Sequence, residues 1–253
     1  MTTLLEIVCK KEIRYKDKTR ELQEFLDKNN EILINKELFK SALSIKGAVD
    51  IRKKMVYLIL QHCIAHNSAI SEKKEKLSFQ NVMKILDEMV NRFVTPQYFY
   101  KLINFQDQNR ETLLHQAVTS NNTDAIEALL KYGANPLIRN KGDKMPLDLA
   151  QEEKTREALI KSMKDQAKSK KESARCNSLI GIELGVGGAL VPSMTIILCA
   201  LAVSALVAGI AVGVAIYFLS QDYKQAKSIE EAVNSQFSSV EHEKTADNKA
   251  VLG

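Results

Sequence analysis

Apolar residues along this chain recur mostly at helical intervals. Val82, Ile85, Leu86, Met89, Val90 and Phe93 stand at i, i+3, i+4, i+7, i+8 and i+11, which sets all six on one face of a helix and predicts that this helix lies on a core. The stretch Met55-Val56-Tyr57-Leu58-Ile59-Leu60 is apolar on nearly every face. A helix through it should be covered on most sides, so it is the expected centre of its region. The first hundred residues hold one proline, Pro96, and one glycine, Gly47, with no alternating strand pattern. Four to six helices are therefore expected across residues 1–103. Thr95 and Pro96 supply an N-cap followed by proline at the first helical position, which predicts a short helix to about Ile103.

A phrase then recurs. Thr112-Leu113-Leu114-His115-Gln116-Ala117 is followed 33 residues later by Met145-Pro146-Leu147-Asp148-Leu149-Ala150. The register extends to Asn109 with Gly142, Ala125 with Ala158, Ile126 with Leu159 and Leu130 with Met163. A period near 33 residues is the mark of stacked helix pairs. Thr112 can cap a first helix and His115, three residues on, can reciprocate with a local hydrogen bond. Ala117 and Ala125 are small where two helices must approach, and Leu114, Ile126, Leu129 and Leu130 supply apolar faces. Gly133 follows the second helix, where a left-handed residue terminates it. In the second copy Met145 removes the capping hydroxyl, while Pro146 fits the first helical turn and Asp148 sets a negative charge at the positive end of the helix dipole. Asn109 and Gly142 are the residues expected to take positive φ at the hairpin tips. The second copy has no closing glycine and turns polar at Lys161, Ser162, Lys164 and Asp165, as an outward-facing cap would.

These residues resemble the ankyrin-repeat family. Thr112 to Ala117 matches its Thr-Pro-Leu-His-x-Ala opening, Ala128-Leu129-Leu130-Lys131-Tyr132-Gly133-Ala134-Asn135 its second-helix ending, and Ile103 to Asp107 the hairpin leading in. Asn109 and Gly142 come one position early for that family's turn glycine, which predicts non-standard hairpin tips. The resemblance implies a concave recognition surface built from hairpin tips and first helices. By position it comprises Gln106, Gln108, Arg110, Gln116, Thr119 and Ser120, with Arg139, Lys141, Asp143 and Lys144 from the second copy. Two repeats cannot bury a continuous core, so helices within residues 79–103 are expected to pack directly on the first.

Charge changes the picture beyond the repeats. Leu184 to Leu219 is a run of 36 residues without a charged side chain, longer than the 20 or so needed to cross about 30 Å of hydrocarbon. Pro192 divides it unevenly, and the piece from Met194 to Leu219 is read as a single membrane-spanning helix. A helical hairpin with both ends on the cytosolic side is the alternative. Much of the formal net charge of +5 comes from Lys161, Lys164, Lys168, Lys170, Lys171 and Arg175, just before that run. Position explains it as a cytosolic flank better than nucleic-acid binding does. Ala205, Gly209 and Gly213, at intervals of four, form a small-residue face that would allow self-association. Tyr217, Phe218 and Tyr223 suit an interface, Ser228-Ile229-Glu230-Glu231 reads as a capping box, and composition predicts a tail without fixed structure from about Ser238.

The remaining chemistry is sparse. His62 and His66 have the i, i+4 spacing of metal ligands, but no third or fourth ligand is evident nearby, and a partly buried helix end explains them without a metal. Cys9, Cys63, Cys176 and Cys199 show no paired spacing, which fits a reducing compartment. No phosphate-binding glycine loop, metal quartet or nucleophile motif is present, so neither a catalytic residue nor a cofactor is expected. The sequence thus predicts an all-α chain: an N-terminal helical region at 1–103 of degenerate-repeat type, two ankyrin-like repeats at 104–164, a basic linker at 165–178, a membrane segment at 179–220 and a polar tail at 221–253. The expected function is a membrane-anchored protein-interaction module, an adaptor or scaffold facing a protein partner and a lipid bilayer. That arrangement resembles ankyrin proteins of intracellular bacteria. A membrane-active or pore-forming protein regulated by the repeats is the alternative.

Overall fold

The structure is a computed structural model that describes residues 4–9, 15–44, 49–67, 69–93, 96–186 and 220–250. The chain forms two compact units, residues 1–162 and 163–253. Among the described residues the first unit holds α1 (Leu4–Cys9), α2 (Tyr15–Lys28), α3 (Lys36–Leu43), α4 (Val49–His66), α5 (Phe79–Phe93), α6 (Pro96–Ile103), α7 (Leu113–Thr119) and α8 (Thr123–Lys131). A 3-10 turn, Pro146–Leu149, and the start of α9 (Glu153–Val186) follow. The second unit contains the rest of α9 and α10 (Gln221–Ala250).

The helices of the first unit stack in two columns. One column runs from α2 to α4 to α7 to the 3-10 turn, and the other from α3 to α5 to α8. Helix α1 covers α2 and α3, while α6 lies against α4 and α5. The sequence pattern explains the order. Met55, Val56, Tyr57, Ile59 and Leu60 of α4 are all buried, as a helix with neighbours on several sides requires. On α5, Val82, Leu86, Met89 and Val90 are buried together with Met83, and Ile85 is half-buried. The face that α5 buries is thus the one set by its spacing. Through it α5 packs on α3 and α8, so the first repeat is covered by α4 and α5.

The described residues are predominantly helical, with a short parallel strand pair departing from the expected all-α pattern. Ile32–Leu33 between α2 and α3 pairs in parallel with Ala69–Ile70 between α4 and α5, in register Ile32 with Ala69 and Leu33 with Ile70. A parallel pair cannot close through a tight hairpin. It forms here because successive helix pairs are stacked by translation, which keeps their connections pointing the same way. The same edge continues into the first repeat: the Asn122 side-chain amide donates to the Ile64 carbonyl at 3.0 Å, and the Phe79 amide donates to Asp124 Oδ2 at 2.6 Å.

The stretch read from the sequence as a basic linker, residues 165–178, is helical: α9 runs from Glu153 to Val186, with no glycine or proline before Gly181. Ser228 is not a cap. Helix α10 starts earlier, with Ser220 Oγ accepting from the Tyr223 amide at 3.1 Å, and the Ser228 hydroxyl bonds back to the Lys224 carbonyl inside the helix. The helix is described through Ala250, across the stretch where composition predicts no fixed structure, since extending a formed helix needs no new nucleus. Thr95 and residues 187–219, with Pro192, Ala205, Gly209, Gly213, Tyr217 and Phe218, lie outside the described residues. Among the described residues no helix is long and apolar enough to cross a membrane.

Candidate functional site

The two hairpins at residues 104–112 and 137–145 are built by one device used twice. The Asp107 amide donates to the Glu111 carbonyl, and Asp107 Oδ1 accepts from the amides of Asn109 and Glu111, both at 2.8 Å. In the second copy the Asn140 amide donates to the Lys144 carbonyl, and Asn140 Oδ1 accepts from Gly142 at 2.9 Å and Lys144 at 3.1 Å. A short side-chain oxygen reaching two and four residues ahead fixes the turn locally. The Lys141 amide donates to the Asn109 carbonyl at 2.9 Å and ties one hairpin to the next.

Positive φ does not fall on Asn109 and Gly142. It falls one residue later, on Arg110 (φ 59) and Asp143 (φ 58). The tips therefore take the spacing usual for ankyrin repeats, with non-glycine residues in the left-handed position. The physical reason is the carbonyl of each of these residues, which accepts from a side chain four residues earlier: Gln106 Nε2 donates to the Arg110 carbonyl at 3.0 Å, and an Arg139 guanidinium nitrogen donates to the Asp143 carbonyl at 2.6 Å. Side chains at positions 106 and 139 thus stabilise a backbone conformation that costs an L-residue about 1 kcal/mol or more.

His115 is fully buried and works at both ends of its ring. The Thr112 amide donates to Nδ1 at 3.2 Å, with the Thr112 hydroxyl 2.9 Å from the same nitrogen. Nδ1 is then the acceptor, so Nε2 carries the proton and donates to the Lys144 carbonyl at 3.2 Å. Burial holds the His115 pKa below the ordinary histidine value, partly offset by that Lys144 carbonyl. In the second copy Asp148 Oδ2 accepts from the Met145 amide at 2.8 Å, the same capping task performed by a carboxylate. Gly133 takes φ +91, and the Asn104 side chain braces the segment after it by accepting from the Asn135 amide at 2.7 Å.

Of the residues expected at the recognition surface, Gln108, Arg110, Thr119, Ser120, Arg139, Lys141, Asp143 and Lys144 are exposed, and Gln106 and Gln116 are half-buried. Some of them are engaged internally. Gln116 Nε2 donates to Glu111 Oε2 at 2.5 Å, and the Thr119 hydroxyl donates to the carbonyls of His115 and Gln116. Gln108, Arg110, Lys141 and Lys144 point their charge and amide groups outward from the hairpin edge. Beside the first hairpin lies an open groove of about 440 Å³, between Phe105–Asn109 on one side and Gln23, Lys54, Leu58 and Gln61 of α2 and α4 on the other. Its floor includes Tyr57, whose ring meets Phe105 at a centroid distance of 5.4 Å and whose phenol is pushed upward in pKa by burial.

Asp107 and Asn140, which shape the site, and Lys54 and Gln61, which line it, are absent from the surface read off the sequence. Lys54 and Gln61, at i and i+7 on either side of the apolar stretch Met55–Leu60, were the available signal. At the far end of α4 the rings of His62 and His66 stand 4.7 Å apart, and burial, then His66, lowers the pKa of His62. No cluster of three or more metal-binding side chains occurs among the described residues.

Residues 101–150 match the family model for ankyrin repeats (many copies). The chain is similar to alpha-latrotoxin-Lg1a of Latrodectus geometricus, 48% identical over 52 residues, 21% of this chain and 4% of that protein. It is 32% identical to regulatory protein SWI6 of Saccharomyces cerevisiae over 81 residues, 32% of this chain and 10% of that protein. Alpha-latrotoxin-Lhe1a of Latrodectus hesperus is 39% identical over 70 residues, 28% of this chain and 5% of that protein. The chain thus spans no more than a tenth of the length of these curated relatives. No solved structure matches it. Residues 101–150 of this predominantly helical chain are thus similar to ankyrin repeats.

Proposed function

We propose that the chain is a membrane-anchored adaptor, in which the hairpin edge of the repeats binds a protein partner and the uncharged run from Leu184 to Leu219 holds that event at a lipid bilayer. The observation that carries the first half is the pair of hairpins pinned by Asp107 and Asn140. Their backbone is fixed without help from Gln108, Arg110, Lys141 or Lys144, so these side chains are available to a partner. A rigid edge with exposed polar groups loses little entropy on binding, which favours recognition over chemistry. The excess of cations along it suits an acidic partner surface. The second half rests on the length and lack of charge of the run. A pore-forming reading finds less support, since a conducting path usually carries polar or ionisable side chains.

Proximity labelling from the full chain in its membrane tests the proposal. Charge reversal at Arg110, Lys141 and Lys144 together should deplete a defined set of labelled proteins while leaving the circular dichroism spectrum unchanged. An unaltered labelled set would remove the hairpin edge as the binding surface. Release of a trapped dye from liposomes by the purified chain would instead favour pore formation.

A further inference from the structure

The segments on either side of the uncharged run are paired with each other. Lys171 Nζ of α9 lies 2.6 Å from both carboxylate oxygens of Glu230 on α10. Lys170 Nζ stands 3.7 Å from Asp222 Oδ1, and the Ser173 hydroxyl donates to Asp222 Oδ2 at 3.4 Å. Ala226, Ile229 and Val233, at i, i+3 and i+7 on α10, are buried, as are Met163 and Ala167 on α9. The two helices belong to one compact unit, each burying apolar residues, and are joined by these ion pairs.

Asp222 stands at the beginning of α10 and is level with Lys170 and Ser173. Helix α9 continues past that level to Val186, thirteen residues beyond Ser173, or about 20 Å. The chain that leaves this level at Ser173 is back at it by Asp222. A single crossing of the hydrocarbon core would hold its two flanks about 30 Å apart, which bonds of this length forbid. The charges agree. Lys224 and Lys227 follow the run as Lys168, Lys170, Lys171 and Arg175 precede it, so lysines on both flanks belong on one side.

We infer that the uncharged run enters and leaves the bilayer through the same face, so that the ankyrin repeats and α10 share one aqueous compartment. This rests on the anchoring reading proposed above and replaces its single-span form.

The test uses the full chain with a different epitope tag at each end, synthesised in the presence of sealed phosphatidylcholine and phosphatidylglycerol vesicles. Retention after alkaline carbonate, with both tags sharing the same fate under external protease, is the expected result. Retention with one tag digested and the other protected overturns the inference and leaves anchoring intact. Release by carbonate removes the anchoring reading and this inference with it. A second measurement checks the pairing: with the native cysteines replaced, Lys171→Cys and Glu230→Cys together should be joined within one chain by a short bismaleimide while vesicle-bound. A chain that stays uncrosslinked there overturns the inference.

Discussion

In the first copy of the repeat, Thr112 and His115 open a seven-residue α-helix; in the second, Met145 and Asp148 open a four-residue 3-10 turn. The hairpins before them are alike nearly bond for bond. The contrast separates two causes. Hairpin shape is local, decided by Asp107 or Asn140 reaching two and four residues ahead, and so survives wide changes in the side chains around it. The helical turn depends on neighbours: α7 lies between α4 and the following turn, with α8 beside it, whereas the 3-10 turn packs on α7. The capping groups differ in one further respect. A neutral imidazole accepts at one nitrogen and donates at the other, so His115 caps its own helix and also holds the next hairpin through Lys144. An ionised carboxylate only accepts. Asp148 can close its own turn, but it cannot extend that link to a further copy.

The largest test of this contrast is in the core. Leu114→Ala should destabilise the full chain by about 3 kcal/mol in urea unfolding, and Leu147→Ala by less, since fewer elements close around the terminal turn. Equal losses would mean that the second copy is as tightly enclosed as the first. Next comes the connector. His115→Ala should cost about 2 kcal/mol by leaving the buried Thr112 amide without its acceptor and the Lys144 carbonyl with the Asn140 amide alone, against about 1 kcal/mol for Asp148→Ala, where the cap is exposed.

The same residue predicts a pH dependence. Because the folded pKa of His115 is depressed, its neutral form supports stability above the unfolded value near 6.5, and that support is lost as pH falls from there through the lowered folded pKa. His62 shifts in the same direction, so the loss between neutral and mildly acidic pH should shrink, not vanish, in His115→Gln. An unchanged slope would show that His115 titrates normally.

Smaller effects sharpen the backbone comparison. Gly133→Ala should cost about 1 kcal/mol, all of it from φ, because an added Cβ meets nothing within 4 Å. Gly142→Ala should cost less, its Cβ meeting only Asn140 Oδ1 at 3.3 Å without a positive φ. Arg110→Gly and Asp143→Gly should each be neutral or stabilising by a few tenths of a kcal/mol in the same unfolding measurement, since both relieve a left-handed L-residue. A clear loss at either would mean that the side chain itself stabilises the tip.

Much of the site was legible because its signals are local. The threonine and histidine spacing, the small alanines and Gly133 each state a geometric need within one turn of helix. The left-handed tip residues were missed because Asn109 and Gly142 looked the better candidates, while the forces placing φ > 0 at 110 and 143 come from Gln106 and Arg139 across the hairpin. The groove was missed for a similar reason. Its walls belong to helices some fifty residues earlier in the chain, and only stacking brings Lys54 and Gln61 beside Phe105.

By itself the sequence determined what depends on periodicity and short range: helices, the 33-residue repeat, its caps and the uncharged run. Tertiary structure alone decided what depends on translation and return. Parallel pairing of Ile32–Leu33 with Ala69–Ile70 requires two helix pairs to be stacked in the same direction, and no residue in either strand encodes that. The ion pairs of Lys171 with Glu230 and of Lys170 with Asp222 require the chain to come back on itself across some fifty residues. Hydrophobic spacing fixes which face of a helix is buried, whereas the partner that buries it is chosen by the packing of the whole unit.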